Sequence, residues 1–194
     1  MSYAIYTTEA IVLRVVPNGE ANSDVVLFTR DLGKITVRAQ SARKQESKMR
    51  MHLTRFRVVT VDLVKGKNTW RLTGITGEPI GKQVFSDGVF QPLARVIRLS
   101  EFLIHGEEAH PALYDFFKYY LSGVSHEAQS TVPGYSKGFE IVGVIKLLEH
   151  LGYWHGNQVG DAITATVVEE CYSNRSALVK QINESISATQ IMVY

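Results

Sequence analysis

The sequence predicts an α+β chain: a five-stranded β-barrel of the OB type over residues 1–79, then an α-helical domain over 80–194. Three observations carry this. Short β-branched runs bounded by turn residues recur through the first eighty residues, with no crossover helix between them. After Pro79 the apolar spacing changes from strand-like to helical. The charge divides at the same place: residues 1–80 hold 13 Lys+Arg against 7 Asp+Glu, and residues 81–194 hold 8 against 12, within a chain whose formal charge is +2.

Each element has its own signal. Thr8–Val16 is rich in β-branched residues and ends at the turn Pro17-Asn18-Gly19. Asp24–Arg30 is a second apolar run, closed by Asp31-Leu32-Gly33. Between Lys34 and Gln40, Ile35, Val37 and Ala39 alternate with polar residues, the period of a half-buried strand. Residues 41–52 are polar and basic and read as a loop with a helical turn. Arg55–Val64 and Thr69–Thr76 are the fourth and fifth strands, joined at Lys65-Gly66-Lys67-Asn68. Five strands without crossovers suit an OB barrel; an SH3-like barrel has the same count. Beyond Pro79, Phe90, Leu93, Ala94, Ile97 and Ile104 mark a helix capped by Ser86 or Asp87, with Pro92 in its first turn and His105-Gly106 as its stop. A second helix runs from Pro111 to Gly123, followed by a loop over 122–134. Ile141, Val144, Ile145, Leu148 and Leu151 give a third helix, apolar around most of its girth and ended by Gly152. Residues 158–187 read as one or two more helices, although Thr164, Thr166, Val167 and Val168 weaken that reading.

Several function classes find no support. No apolar run is long enough for a bilayer, the start lacks a signal-peptide pattern, and one cysteine cannot form an internal disulfide; a cytoplasmic protein without membrane contact is expected. Phosphate-loop, nucleophile-elbow and zinc-protease motifs are lacking. His105 and His110 flank Glu107-Glu108, but an inter-helix loop explains them without a metal. Cys171 lies beside Glu169 and Glu170, which disfavour a thiolate. No catalytic residue, metal or cofactor is therefore expected, and an enzyme on unfamiliar geometry is the weakest reading.

The positive signal is the basic N-terminal half. Arg30 to Arg57 holds nine basic residues and two acidic ones. Lys34 and Arg38 share one face of their strand; Arg43, Lys44, Lys48 and Arg50 follow on the loop; Arg55 and Arg57 open the next strand on a common face. Lys65 and Lys67 flank the last turn, beside Trp70 and Arg71. Such a row of cations gains by releasing counterions from a phosphate backbone, with little regard to sequence. Trp70 and Phe56 are candidate stacking aromatics, though a core position explains each of them better. The competing reading is an adaptor whose basic face meets an acidic protein.

These residues resemble the N-terminal barrel of the RecO recombination-mediator family. The resemblance rests on Ala10–Leu13, Glu20, Leu27-Phe28-Thr29, Asp31 with Gly33-Lys34, Ala42-Arg43-Lys44, Ser47-Lys48 with Arg50 and Leu53, and Phe56. Leu147–Tyr153 is similar to a motif of the family's helical domain. The resemblance implies a non-enzymatic, nucleoid-associated protein of recombinational repair. Such a protein would bind single- and double-stranded DNA, anneal strands and, with RecR, load RecA. Some members of that family hold the C-terminal tail of single-stranded DNA-binding protein in an apolar pocket of the helical domain; here the second and third helices provide apolar surface, with no basic residues identified to receive the acidic tail. Two departures stand out: Ser41 occupies a place where the family usually has glycine, and a single cysteine makes the family's four-cysteine zinc module impossible. The chain also looks shortened after Tyr153.

Overall fold

The computed structural model describes residues 4–77, 87–122, 134–160 and 162–188. Five strands form: β1 (Ile5–Asn18), β2 (Asn22–Thr29), β3 (Gly33–Ala39), β4 (Val58–Lys65) and β5 (Trp70–Thr76). They close into a barrel in the order β1-β2-β3-β5-β4. β1 is long enough to pair with β4 through Ile5–Ile11 and with β2 through Ala10–Asn18. The β3–β5 seam is parallel and the other pairings are antiparallel. This topology, which strand counting could not give, is that of an OB barrel.

Alternation fills the interior. Val12, Val25, Leu27, Ile35, Val37, Val61, Leu63 and Leu72 point inward and are buried. On the outer face of β2, Phe28 is also fully buried. Its ring meets Tyr114 and Phe117, each with centroids 6.0 Å away, on helix α2 (Pro111–Ser122). Polar contacts fasten the same helix: Arg30 donates to both carboxylate oxygens of Asp115 at 3.1 Å, and Lys118 reaches Glu9 at 2.7 Å. The chain divides into two compact units, Met1–Val84 with Ile104–Lys118, and Phe85–Leu103 with Tyr119–Tyr194. Residues 104–118 thus group with the barrel by contact, although they follow the first helix in sequence.

The second unit contains α1 (Asp87–Leu103), the end of α2, α3 (Tyr135–His150), α4 (Ala165–Ser173) and α5 (Arg175–Ala188). α3 is buried around most of its girth, as its apolar pattern predicts. Tyr120 stacks on Phe139 at 4.2 Å and donates its hydroxyl to the Phe139 carbonyl at 2.9 Å. Gly143 permits this approach, since a Cβ there would lie 2.5 Å from the Tyr120 oxygen. Lys146, a buried cation, is satisfied by the Val159 carbonyl at 2.7 Å and by Glu149 at 2.8 Å. Thr164 lies outside α4 as its N-cap, accepting from the Val167 N–H at 3.2 Å.

Two details differ from the sequence reading. Pro92 lies inside α1 rather than in its first turn; the helix continues through it with one backbone bond missing. Asp87 is the first residue of that helix, not its cap. Residues 41–53 form the expected loop, a succession of turns from Lys44 N–H to the Ser41 carbonyl onward, with one helical turn where the Leu53 N–H reaches the Met49 carbonyl at 3.2 Å. The alternative cap Ser86 and most of the predicted loop over 122–134 lie outside the described residues.

Gly33 closes the β2–β3 turn with φ of 70°, and a Cβ there would overlap the Glu108 backbone. Gly33→Ala is expected to cost about 2–4 kcal/mol, from a strained left-handed residue plus overpacking, read from urea unfolding.

Candidate nucleic-acid interface

The strands decide which cations can act together. On β3, Lys34, Thr36 and Arg38 face outward, opposite Ile35, Val37 and Ala39. The parallel seam sets Arg38 directly beside Arg71 of β5, so two guanidiniums from distant parts of the chain become neighbours on the outer wall. On its other side Arg38 faces Asp24 of β2 and pairs with it at 3.2 Å. This carboxylate was not singled out in the sequence. The Asp31-Leu32-Gly33 turn fixes the hairpin register, and counting back from Lys34 opposite Phe28 finds it.

The connection between β3 and β4 carries the densest charge. Arg43, Lys44, Lys48, Arg50 and Arg55 are all exposed there. Its start is anchored to the β1–β2 turn: the Arg43 N–H reaches the Ala21 carbonyl at 3.0 Å, the Arg43 guanidinium the Gly19 carbonyl at 2.6 Å, and the Ser41 N–H Asn22 Oδ1 at 3.0 Å. Ala42 is buried and acts as the plug. At the far end the Phe56 N–H reaches the Val12 carbonyl at 2.7 Å, and the Arg57 carbonyl receives the Val12 N–H at 2.9 Å. Val12 follows Ile11, the last residue of β1 paired with β4, so these bonds continue that ladder past the start of β4.

Arg55 and Arg57 lie elsewhere than expected, and Trp70 takes the core position that explained it better. Arg55 and Arg57 do not open β4 on one face: Phe56 between them has φ of 68°, which breaks the extended run, and β4 begins at Val58. Arg55 is exposed, but Arg57 is only 7% exposed and donates to the Met51 carbonyl at 2.9 Å. Its role is to hold the connection, not to present charge. Trp70 is 5% exposed, and its Nε1–H is bound to Glu107 at 2.9 Å, so its indole cannot receive a base; Phe56 is buried too. Lys65 is exposed but paired with Glu107 at 2.9 Å, while Lys67 is exposed on the following turn.

Burial, then Arg57, holds the His52 imidazole below its ordinary value, so arginines and lysines carry the charge of this segment. In the second unit, burial and then Glu170 push the Cys171 thiol up to about 11, which leaves it protonated near pH 7. Among the described residues no group of three or more His, Cys, Asp or Glu could hold a metal, and no helix is long and apolar enough to cross a membrane.

Residues 1–78 match the family model for the recombination protein O N-terminal domain. The barrel of this chain is a RecO N-terminal domain. The chain is 32% identical over 151 residues to a DNA repair protein RecO of Dehalococcoides mccartyi, covering 76% of this chain and 56% of that one. Proteins of the same name from Bifidobacterium animalis and Cutibacterium acnes are 39% and 38% identical over 64 and 63 residues, about a third of this chain and 26% of each relative. The chain thus spans little more than half the length of the first of these relatives. Ser41, at the place where the resemblance expects glycine, adopts φ of 55°, a left-handed conformation that glycine takes without strain.

Ser41→Gly is expected to raise stability by up to about 1 kcal/mol by relieving that conformation, and Ser41→Val to lower it by about 1 kcal/mol or more, both read from thermal unfolding. Hydrogen bonds from Lys65 and then Trp70 hold the Glu107 carboxyl below its ordinary value. A carboxylate held low adds stability above its unfolded-state pKa and loses it as pH falls through the folded value. Glu107→Gln is therefore expected to lower the melting temperature at pH 7. The two proteins should converge as pH falls below the depressed folded-state value of Glu107, where both side chains are neutral.

Proposed function

We propose that this chain is a DNA-binding protein of recombinational DNA repair that holds strands by their phosphate backbone and performs no covalent chemistry. The observation that carries this reading is the run of exposed cations from the Arg38–Arg71 pair onto the β3–β4 connection. The connection includes one carboxylate, Glu46, among Arg43, Lys44, Lys48, Arg50 and Arg55. The names of the relatives point to the same process. Lys34, Arg38, Arg43, Lys44, Lys48, Arg50, Arg55, Lys67 and Arg71 are the proposed contacts; Lys65 is secondary because Glu107 pairs with its ammonium, whereas Arg38 has further guanidinium donors beside its contact with Asp24.

The mechanism is electrostatic. Two phosphate strands repel, and a cationic wall between them lowers that barrier while counterions are released. Annealing of complementary strands follows from this property alone. Loading of RecA together with RecR, and capture of the single-stranded DNA-binding protein tail, are further roles that the likeness to RecO proteins suggests for this chain.

Fluorescence anisotropy with single- and double-stranded oligonucleotides across a salt series tests the reading. Binding should weaken steeply with salt. Lys44→Ala with Lys48→Ala should reduce the logarithmic slope on single strands by about 1.4, at about 0.7 per lost phosphate contact. Lys65→Ala should change it less. Absence of binding at about 50 mM salt would overturn the proposal and favour an adaptor for an acidic protein.

A further inference from the structure

We propose that Tyr6, at the start of β1, is a stacking platform for an unpaired nucleobase. The inference rests on the DNA-binding reading and adds to it a contact that sees bases rather than phosphates. The β1 alternation that sends Ala10 and Val12 into the barrel also gives Tyr6 the inward parity, opposite Leu63 of β4. At this end of the barrel the interior is already closed by Trp70, so the Tyr6 ring stays at the rim and is 43% exposed. It stands edge-to-face against Trp70, with centroids 5.3 Å apart and planes at 83°.

Trp70 makes a rigid backing. Its ring is buried and its Nε1–H is held by Glu107, so the exposed ring resting on it is ordered before any ligand arrives. The Lys65 ammonium lies 5.1 Å from the centroid of the same indole, and Lys67 is exposed on the adjoining turn. The neighbouring carboxylates are engaged: Glu107 with Lys65, and Asp62 with the Thr7 hydroxyl at 2.6 Å. A half-exposed aromatic ring with Lys65 and Lys67 on the turn next to its backing suits a nucleobase whose phosphates reach those lysines. A paired base buries its faces in the stack, so this contact selects single strands.

Affinity is measured by anisotropy at low salt for an oligo-dT and for an abasic sugar-phosphate oligomer of equal length. The parent should prefer oligo-dT. Tyr6→Leu, which keeps apolar cover over Trp70 but has no π face, should lose about tenfold on oligo-dT and stay within about twofold on the abasic strand. Tyr6→Phe should behave as the parent. Equal binding of the two oligomers by the parent, or equal losses on both in Tyr6→Leu, would overturn the stacking role while leaving the electrostatic reading intact. If the parent binds neither oligomer, both readings fall. The parent's comparison needs no variant, so a misfolded substitution cannot shield the proposal.

Discussion

The parallel seam between β3 and β5 is the constraint on which the rest of the barrel depends. A strand leaving β3 cannot turn back and pair beside it, because β5 takes that edge. The chain must instead travel to the far side of β1, where β4 pairs. The β3–β4 connection is the path of that journey, and it carries the densest run of exposed cations: Arg43, Lys44, Lys48, Arg50 and Arg55. Closure of the barrel and placement of the charge are thus two results of one pairing. The same seam brings Arg38 and Arg71 side by side.

A long charged connection needs fixed points, or its ordering would cost more than its contacts return. Here they lie at its two ends. Ala42 is buried near the start, where Arg43 and Ser41 bind the β1–β2 turn. Phe56 is buried near the finish, where its backbone and that of Arg57 bind Val12. Among the described residues the two non-glycine residues with left-handed backbone, Ser41 and Phe56, sit at these points, where the chain must change direction. Arg43 therefore has two parts to play, since a guanidinium that donates to the Gly19 carbonyl still has other donors to offer.

Much of this was legible in the sequence. Period-two alternation and turn residues located all five strands, and the helical stripes located α1 to α3, because these signals are local. Register is not local. That Arg38 adjoins Arg71 depends on a pairing between segments some thirty residues apart, which no spacing rule reports. Composition located the cations, but not which of them are engaged: Lys65 by Glu107, Arg38 by Asp24, and Arg57 by the Met51 carbonyl. Arg57 misled because the Arg55–Val64 run looks uniformly extended, whereas Phe56 is left-handed. Tyr6 escaped notice because the β-branched run appears to begin at Thr8; carrying the alternation two residues further back reaches it.

The filled interior has one more consequence. With valine, leucine and isoleucine occupying its centre, this barrel is a plug and not a cup, and whatever it recognises must be met from outside. Its frame and its reach are therefore separable. Doubling a loop's length adds only about 0.6 kcal/mol of closure entropy, so the span between the Ala42 and Phe56 anchors can be lengthened at small entropic cost where Met49 and Leu53 keep their packing on the barrel core and Met51 its bond from Arg57. Variation confined to that span would retune grip and footprint while the strands beneath it stay as they are.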